Sequence, residues 1–149
     1  VVTELSRPNG IAFSRDGKRL YVTNTADNPD KPEENAPESV TDSAGRHHIW
    51  AFDLDADNAV VKGSGRPFAC PAAGVPDGIT VDEEDRVWSS GGDGVSVFDS
   101  DGSLIAHAPV PEVVSNLCFG GEDGQDLFIT ATTSLYRLRT NTREPWSFA

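Results

Sequence analysis

Short runs in which apolar and polar residues alternate recur along this chain, separated by turns rich in Asp, Gly and Pro. Ile11-Ala12-Phe13, Ile79-Thr80-Val81 and Leu117-Cys118-Phe119 each open such a series. A charged turn follows each of them: Ser14-Arg15-Asp16-Gly17-Lys18, Asp82-Glu83-Glu84-Asp85 or Gly120-Gly121-Glu122-Asp123-Gly124. Glycine in these turns supplies the positive φ that a tight hairpin needs. A second strand then spans Leu20 to Thr25, Val87 to Ser90 or Leu127 to Ala131, and a third spans His48 to Leu54, Gly94 to Asp99 or Ser134 to Leu138. Period-two alternation with β-branched and aromatic residues marks these segments as strands. Arg66 to Cys70 and Leu104 to Val110 close the first two units as outer strands. The last unit has no comparable segment unless the Trp146-Ser147-Phe148 tail supplies it.

Four antiparallel strands in about 40 to 45 residues is the unit of a β-propeller. The chain is therefore expected to be all-β, with residues 1–149 forming about three consecutive four-stranded blades of a partial propeller domain. Propellers typically close with about four to eight blades, so an arc this short leaves apolar faces open at both ends. A chain that opens on Val1 and contains no Met is expected to be the C-terminal half of a longer protein. The alternative is a half-propeller that closes its ring by dimerising.

Residues 26–46 break the pattern, carrying Pro29, Pro32 and Pro37 among many acidic residues and no apolar period. They are expected to form a long acidic loop. Because the second strand of a unit returns to the face where the first began, this insert should emerge beside the mouths of the inner strands. There it serves either as a lid or as a plain solvated loop.

Asp and Glu number 24 against 12 Lys and Arg, a formal net charge of −12. Such a chain is repelled by phosphate backbones and anionic membrane surfaces, which argues against nucleic acid and membrane partners. No apolar run approaches the roughly 20 residues of a membrane span. Localisation stays open between cytoplasmic and secreted. Cys70 and Cys118 fall within strand patterns and are expected to act as small core hydrophobes. Asp53-Leu54-Asp55-Ala56-Asp57 resembles the start of a calcium loop, but Asn58 stands where the loop requires Gly and Ser64 where it requires Glu. Gly91-Gly92-Asp93-Gly94 joins two strands and is a hairpin turn, not a phosphate cradle. His47-His48 and His107 read as loop-end and outer-strand residues.

One polar side chain recurs at a fixed point of the repeat: Asn9 in Pro8-Asn9-Gly10, Asp77 in Pro76-Asp77-Gly78, and Asn116 in Ser115-Asn116-Leu117. In a propeller the first strands line the central channel, so these residues are expected to converge at one end of the axis. The amide of Asn9 and the carboxylate of Asp77 are hard oxygen donors suited to a divalent cation, Ca²⁺ first, with Mg²⁺, Mn²⁺ and Zn²⁺ as alternatives. Read as residues alone, they also match the common Asn and Asp before Gly that bond their own backbone in turns.

Pro8-Asn9-Gly10-Ile11-Ala12-Phe13-Ser14 followed by Lys18-Arg19-Leu20-Tyr21-Val22-Thr23 resembles the corresponding blade of the gluconolactonase, regucalcin and senescence-marker-protein family. Gly74-Val75-Pro76-Asp77-Gly78-Ile79 with Gly91-Gly92-Asp93-Gly94-Val95-Ser96-Val97-Phe98 is similar to it, as is Asn116-Leu117-Cys118-Phe119-Gly120-Gly121 with Leu135-Tyr136-Arg137. The motifs stand in the family's order and cover residues 7 to 139. The resemblance implies a six-bladed ring and metal-dependent hydrolysis of a sugar lactone, with phosphotriester hydrolysis in some relatives. It also implies a metal held by a glutamate near the N-terminus, an asparagine of a middle blade, and the Asn and Asp of the two proline-led turns.

By motif position Asn9 and Asp77 take the last two of these metal-holding places. Asp77 is further expected to receive a proton from the attacking water, and Asn116 to bond a sugar hydroxyl of the small-molecule lactone. The glutamate and the other asparagine have no counterpart here and would lie in a missing N-terminal half, which is thereby the expected structural partner. Asn24-Thr25 stands where the family often has Asp-Thr. Two alternatives remain: a non-catalytic propeller used as a binding scaffold, and a related metal-dependent esterase or phosphotriesterase.

Overall fold

A computed structural model describes residues 2, 3, 5, 7–25 and 49–146, in which the chain is all β with no helix among the described residues. β1 (Pro8–Phe13), β2 (Arg19–Asn24), β3 (Ile49–Asp53) and β4 (Arg66–Ala69) form one antiparallel sheet in sequence order. β5 (Ile79–Val81), β6 (Val87–Ser90), β7 (Gly94–Phe98) and β8 (Leu104–Pro109) form a second. β9 (Val114–Gly120), β10 (Asp126–Ala131) and β11 (Leu135–Arg139) form a third. The first strands of neighbouring sheets lie together, β1 beside β5 and β5 beside β9. These are consecutive blades sharing an inner edge, as in a propeller.

The hairpins follow from local chemistry. Gly17 and Gly124 adopt φ of 68° and 73° in the first and third charged turns. The second turn has no glycine, and Asp85 takes the left-handed conformation itself at φ 63°. Aspartate tolerates that region better than most residues because its short polar side chain bonds locally.

Packing between sheets uses the period-two alternation. Tyr21, Ile49 and Ala51 of the first sheet meet Ile79, Val81, Val87 and Phe98 of the second. Trp88, Val95 and Val97 on the second meet Leu117, Phe119, Leu127 and Ile129 of the third. β7 is buried at every residue because it lies between β6 and β8 in the middle sheet and both of its faces are covered. On the other face of the first sheet, Ile11 pairs with Val22 and Val22 with Trp50, while Phe13 pairs with Leu20 and Leu20 with Phe52. Ile11 and Phe13 there are exposed.

Several expectations change. Pro8-Asn9-Gly10 lies within β1, and the register between β1 and β2 shifts between Pro8 and Ile11, so Asn9 and Gly10 occupy an irregularity in the ladder instead of a free turn. Cys70 and Cys118 are exposed free thiols, not core residues. Cys118 alternates with the buried Leu117 and Phe119 and so points to the opposite face, while Cys70 follows the last residue of β4. The third sheet shows no fourth strand among the described residues. Trp146 lies outside any strand, and Ser147 and Phe148 are outside the described residues. The 26–46 insert and His47-His48 also lie outside them.

Candidate metal and substrate site

The mouth of the inner strands is built from backbone contacts between neighbouring sheets. Asp77 immediately precedes Gly78 at the head of β5, and its N–H donates to Ser90 Oγ at the end of β6 (2.9 Å). Its carbonyl accepts from Thr23 Oγ1 at the end of β2 (2.6 Å). The same Thr23 oxygen accepts the N–H of Gly10 (2.7 Å). On the other side, the Gly78 N–H donates to the Ser115 carbonyl at the head of β9 (2.8 Å). Three inner strands are thus linked in a row at the end where Asn9, Asp77 and Asn116 sit.

Two of the three side chains are neighbours: the Asn9 amide lies close enough to the Asp77 carboxyl to lower its pKa. Asp77 is half-buried while Asn9 is exposed, so the pair is open to solvent. Burial pushes the Asp77 carboxyl upward, and the nearby Asn9 amide offsets this in part. Asn116 sits against Gly78, where an ideal Cβ would lie 2.2 Å from Asn116 Oδ1. Its Oδ1 accepts the N–H of Leu117 (2.9 Å), which leaves the amide NH₂ as the end available to a ligand. Further along the inner strands, Ile11, Phe13, Thr80 and Cys118 line a cavity that Trp146 reaches from the C-terminal tail.

This donor set fits part of a hard cation's shell. A half-buried carboxylate with a neutral amide beside it carries charge that a cation would offset, and both groups offer oxygen. Among the described residues no group of three or more His, Cys, Asp or Glu side chains is placed to hold a metal. Asp53, which opens the calcium-like segment, is instead held by Arg66 (2.9 and 3.1 Å). His107 lies on β8, 3.7 Å from Asp93.

Thr23 and Ser90 were not singled out by sequence reasoning. A signal was present: Val22 pairs with Ile11 and Ser89 with Ile79, so Thr23 and Ser90 hold the same position in their units.

Residues 34–133, well over half of the chain, match the family described as SMP-30/Gluconolactonase/LRE-like region. The chain belongs to that family. It is 34% identical to the gluconolactonase of Zymomonas mobilis over 147 residues, covering 93% of this chain and 36% of that protein. A solved gluconolactonase of Xanthomonas campestris superposes with a TM-score of 0.72 at 38% identity, covering 93% of this chain and 39% of that one. The calcium-binding protein regucalcin of Agrobacterium tumefaciens shares the fold, with a TM-score of 0.71 at 24% identity over 94% of this chain and 48% of that one. The chain therefore spans less than half the length of each of these relatives.

Proposed function

We propose that this chain supplies the Asn9–Asp77 part of a divalent-metal site in a sugar-lactone hydrolase whose ring is completed by further blades. The observation that carries the reading is that the Thr23 hydroxyl holds Gly10, next to Asn9, against the backbone of Asp77 at the shared mouth of β1 and β5, in a family whose relatives include gluconolactonases. The short span relative to those relatives and the exposed Ile11 and Phe13 on the first sheet support assigning activity to a longer, closed ring.

Asn9 and Asp77 would hold the cation, Ca²⁺ before Mg²⁺, Mn²⁺ or Zn²⁺, because both donors are oxygen. When bound, it supplies Lewis acidity toward the ester carbonyl. The Asp77 carboxylate takes a proton from the water whose oxygen bonds to the lactone carbonyl carbon. The ring C–O bond then breaks, and its oxygen leaves with a proton as the hydroxyl of the hydroxy acid. Burial makes Asp77 a stronger base than an exposed carboxylate, and a cation beside it draws that basicity down again. Asp77 is thus ligand and positioner as much as base. The NH₂ of Asn116 donates to a sugar hydroxyl.

The test is calorimetric titration with Ca²⁺, Mg²⁺, Mn²⁺ and Zn²⁺ together with hydrolysis of aldonolactones, esters and a phosphotriester. Two donors are too few for a stable shell, so the 149-residue chain is expected to bind weakly and turn over little, and the intact parent to be active and lose most activity with Asp77→Ala. Hydrolysis that survives Asp77→Ala in the intact protein would overturn the assignment.

A further inference from the structure

We propose that Thr23 is a positioning residue that sets the spacing of the two ligand-bearing mouths, an inference that rests on the lactonase reading above. Thr23 is fully buried. Its hydroxyl accepts the Gly10 N–H at 2.7 Å and donates to the Asp77 carbonyl at 2.6 Å. The Gly10 carbonyl lies farther away at 3.4 Å, and a hydroxyl has one proton to give. One oxygen atom therefore joins the residue after Asn9 to the backbone of Asp77, across the junction of two sheets. No other side-chain hydrogen bond described here joins the backbones of these two mouths.

The pattern across units supports a role at the site and not general packing. Ser90 stands at the same position of the second sheet and accepts the Asp77 N–H at 2.9 Å. Asp77 is thus clamped through both ends of its own residue, the N–H by Ser90 and the carbonyl by Thr23. In the third unit Phe128 pairs with Cys118, which places Ile129 at the equivalent position. The hydroxyl is absent there, and Asn116 closes locally on the Leu117 N–H. Buried hydroxyls occur at the mouths that carry Asn9 and Asp77 and not at the one that carries Asn116. A buried hydroxyl that lost its partners would carry a desolvation cost, so the geometry favours keeping both bonds. Supporting groups of this kind typically alter metal affinity or activity by about 10 to 100-fold when removed.

The experiment compares Thr23→Val, which keeps the shape and removes the hydroxyl, with Thr23→Ser, which restores it, in the intact protein. Thr142→Val serves as the control, since Thr142 is buried with an unpartnered hydroxyl in the tail beyond β11. Three readouts are taken: amide hydrogen exchange at Gly10, affinity for Ca²⁺ by calorimetry, and kcat and KM for a lactone. With Thr23→Val, Gly10 exchange is expected to rise, Ca²⁺ affinity to fall about tenfold or more, and kcat to fall more than KM changes. Thr23→Ser should return all three to near the parent, and Thr142→Val should leave them there. If Thr23→Val does not fold, Thr23→Ala is measured in its place. Unchanged affinity and kcat in a folded Thr23→Val or Thr23→Ala protein would overturn the inference while leaving the lactonase reading intact. A parent protein that neither binds a cation nor hydrolyses a lactone overturns that reading, and Gly10 exchange then still decides whether Thr23 joins the two mouths.

Discussion

Gly10 and Asp77 approach so closely that a Cβ built on Gly10 would lie 2.3 Å from the Asp77 carbonyl oxygen. Gly10 does not have a positive φ, so the requirement for glycine comes from the neighbouring strand and not from a turn. The obstructing atom is backbone, which cannot rotate away. Gly10→Ala is expected to drive β1 from β5, cost stability by about 1–3 kcal/mol as overpacking does, and abolish metal binding. Urea denaturation with calorimetric titration checks both, and unchanged Ca²⁺ binding in a folded variant would contradict the close approach.

Asp77 is expected to be a site of conflict between stability and function. Burial holds its carboxyl above the ordinary range. A folded-state value above the unfolded one stabilises the native chain at low pH, and that advantage is lost as pH rises through the folded value. At neutral pH without metal the charged carboxylate therefore disfavours folding. Asp77→Asn should raise the metal-free Tm at pH 7, and in the intact parent it should abolish any rise in Tm on adding Ca²⁺. A lower Tm for Asp77→Asn would contradict this.

Asp82 is fully buried and accepts from Glu84 N, Arg86 N, Arg86 Nε and Trp88 Nε1 at 2.7 to 3.0 Å. The indole it orients stands edge-on to Phe119 of the third sheet, with centroids 5.4 Å apart. One carboxylate thus closes the β5–β6 hairpin and fixes the interface between two sheets. Asp82→Ala leaves the buried Trp88 Nε1 and the turn N–H groups without their acceptor, while Arg86 keeps Glu84 at 2.8 Å, and is expected to cost about 1–3 kcal/mol. Equilibrium denaturation measures it, and a loss below about 1 kcal/mol would refute the role.

Glu112 clasps the β10–β11 turn, accepting from Thr133 N (2.7 Å), Thr133 Oγ1 (2.9 Å) and the Tyr136 hydroxyl (2.7 Å). Bonds from Ser134, Tyr136 and Thr133 lower its pKa from 4.5 to about 2. A depressed folded-state value stabilises above the unfolded value and is lost as pH falls through the folded one. Glu112→Gln should therefore be less stable than the parent at pH 7. The gap in Tm should close between about pH 4.5 and 2. A gap independent of pH over that window would mean the charge contributes nothing.

The strands were legible because their signal is local. Ile79-Thr80-Val81 and Gly94 to Phe98 alternate or run apolar between turn residues, and the structure places β5 and β7 there. The cysteines misled because period two alone does not say which face of an outermost sheet is covered, and Cys118 lies opposite the face that carries Leu117 and Phe119. The repeat also aligned Asn9, Asp77 and Asn116, yet it did not show that Asn116 turns its side-chain oxygen toward its own backbone.

Sequence by itself determined the three-unit β organisation, the charged hairpin turns and the positions of the polar residues at the head of each unit, since alternation, turn chemistry and repeat spacing act over a few neighbouring residues. Tertiary structure alone decided that Thr23 joins Gly10 to Asp77, that Gly10 and Gly78 are required by close approach, and that burial raises the Asp77 carboxyl. Each of these depends on residues distant in sequence that meet only when one sheet packs on the next.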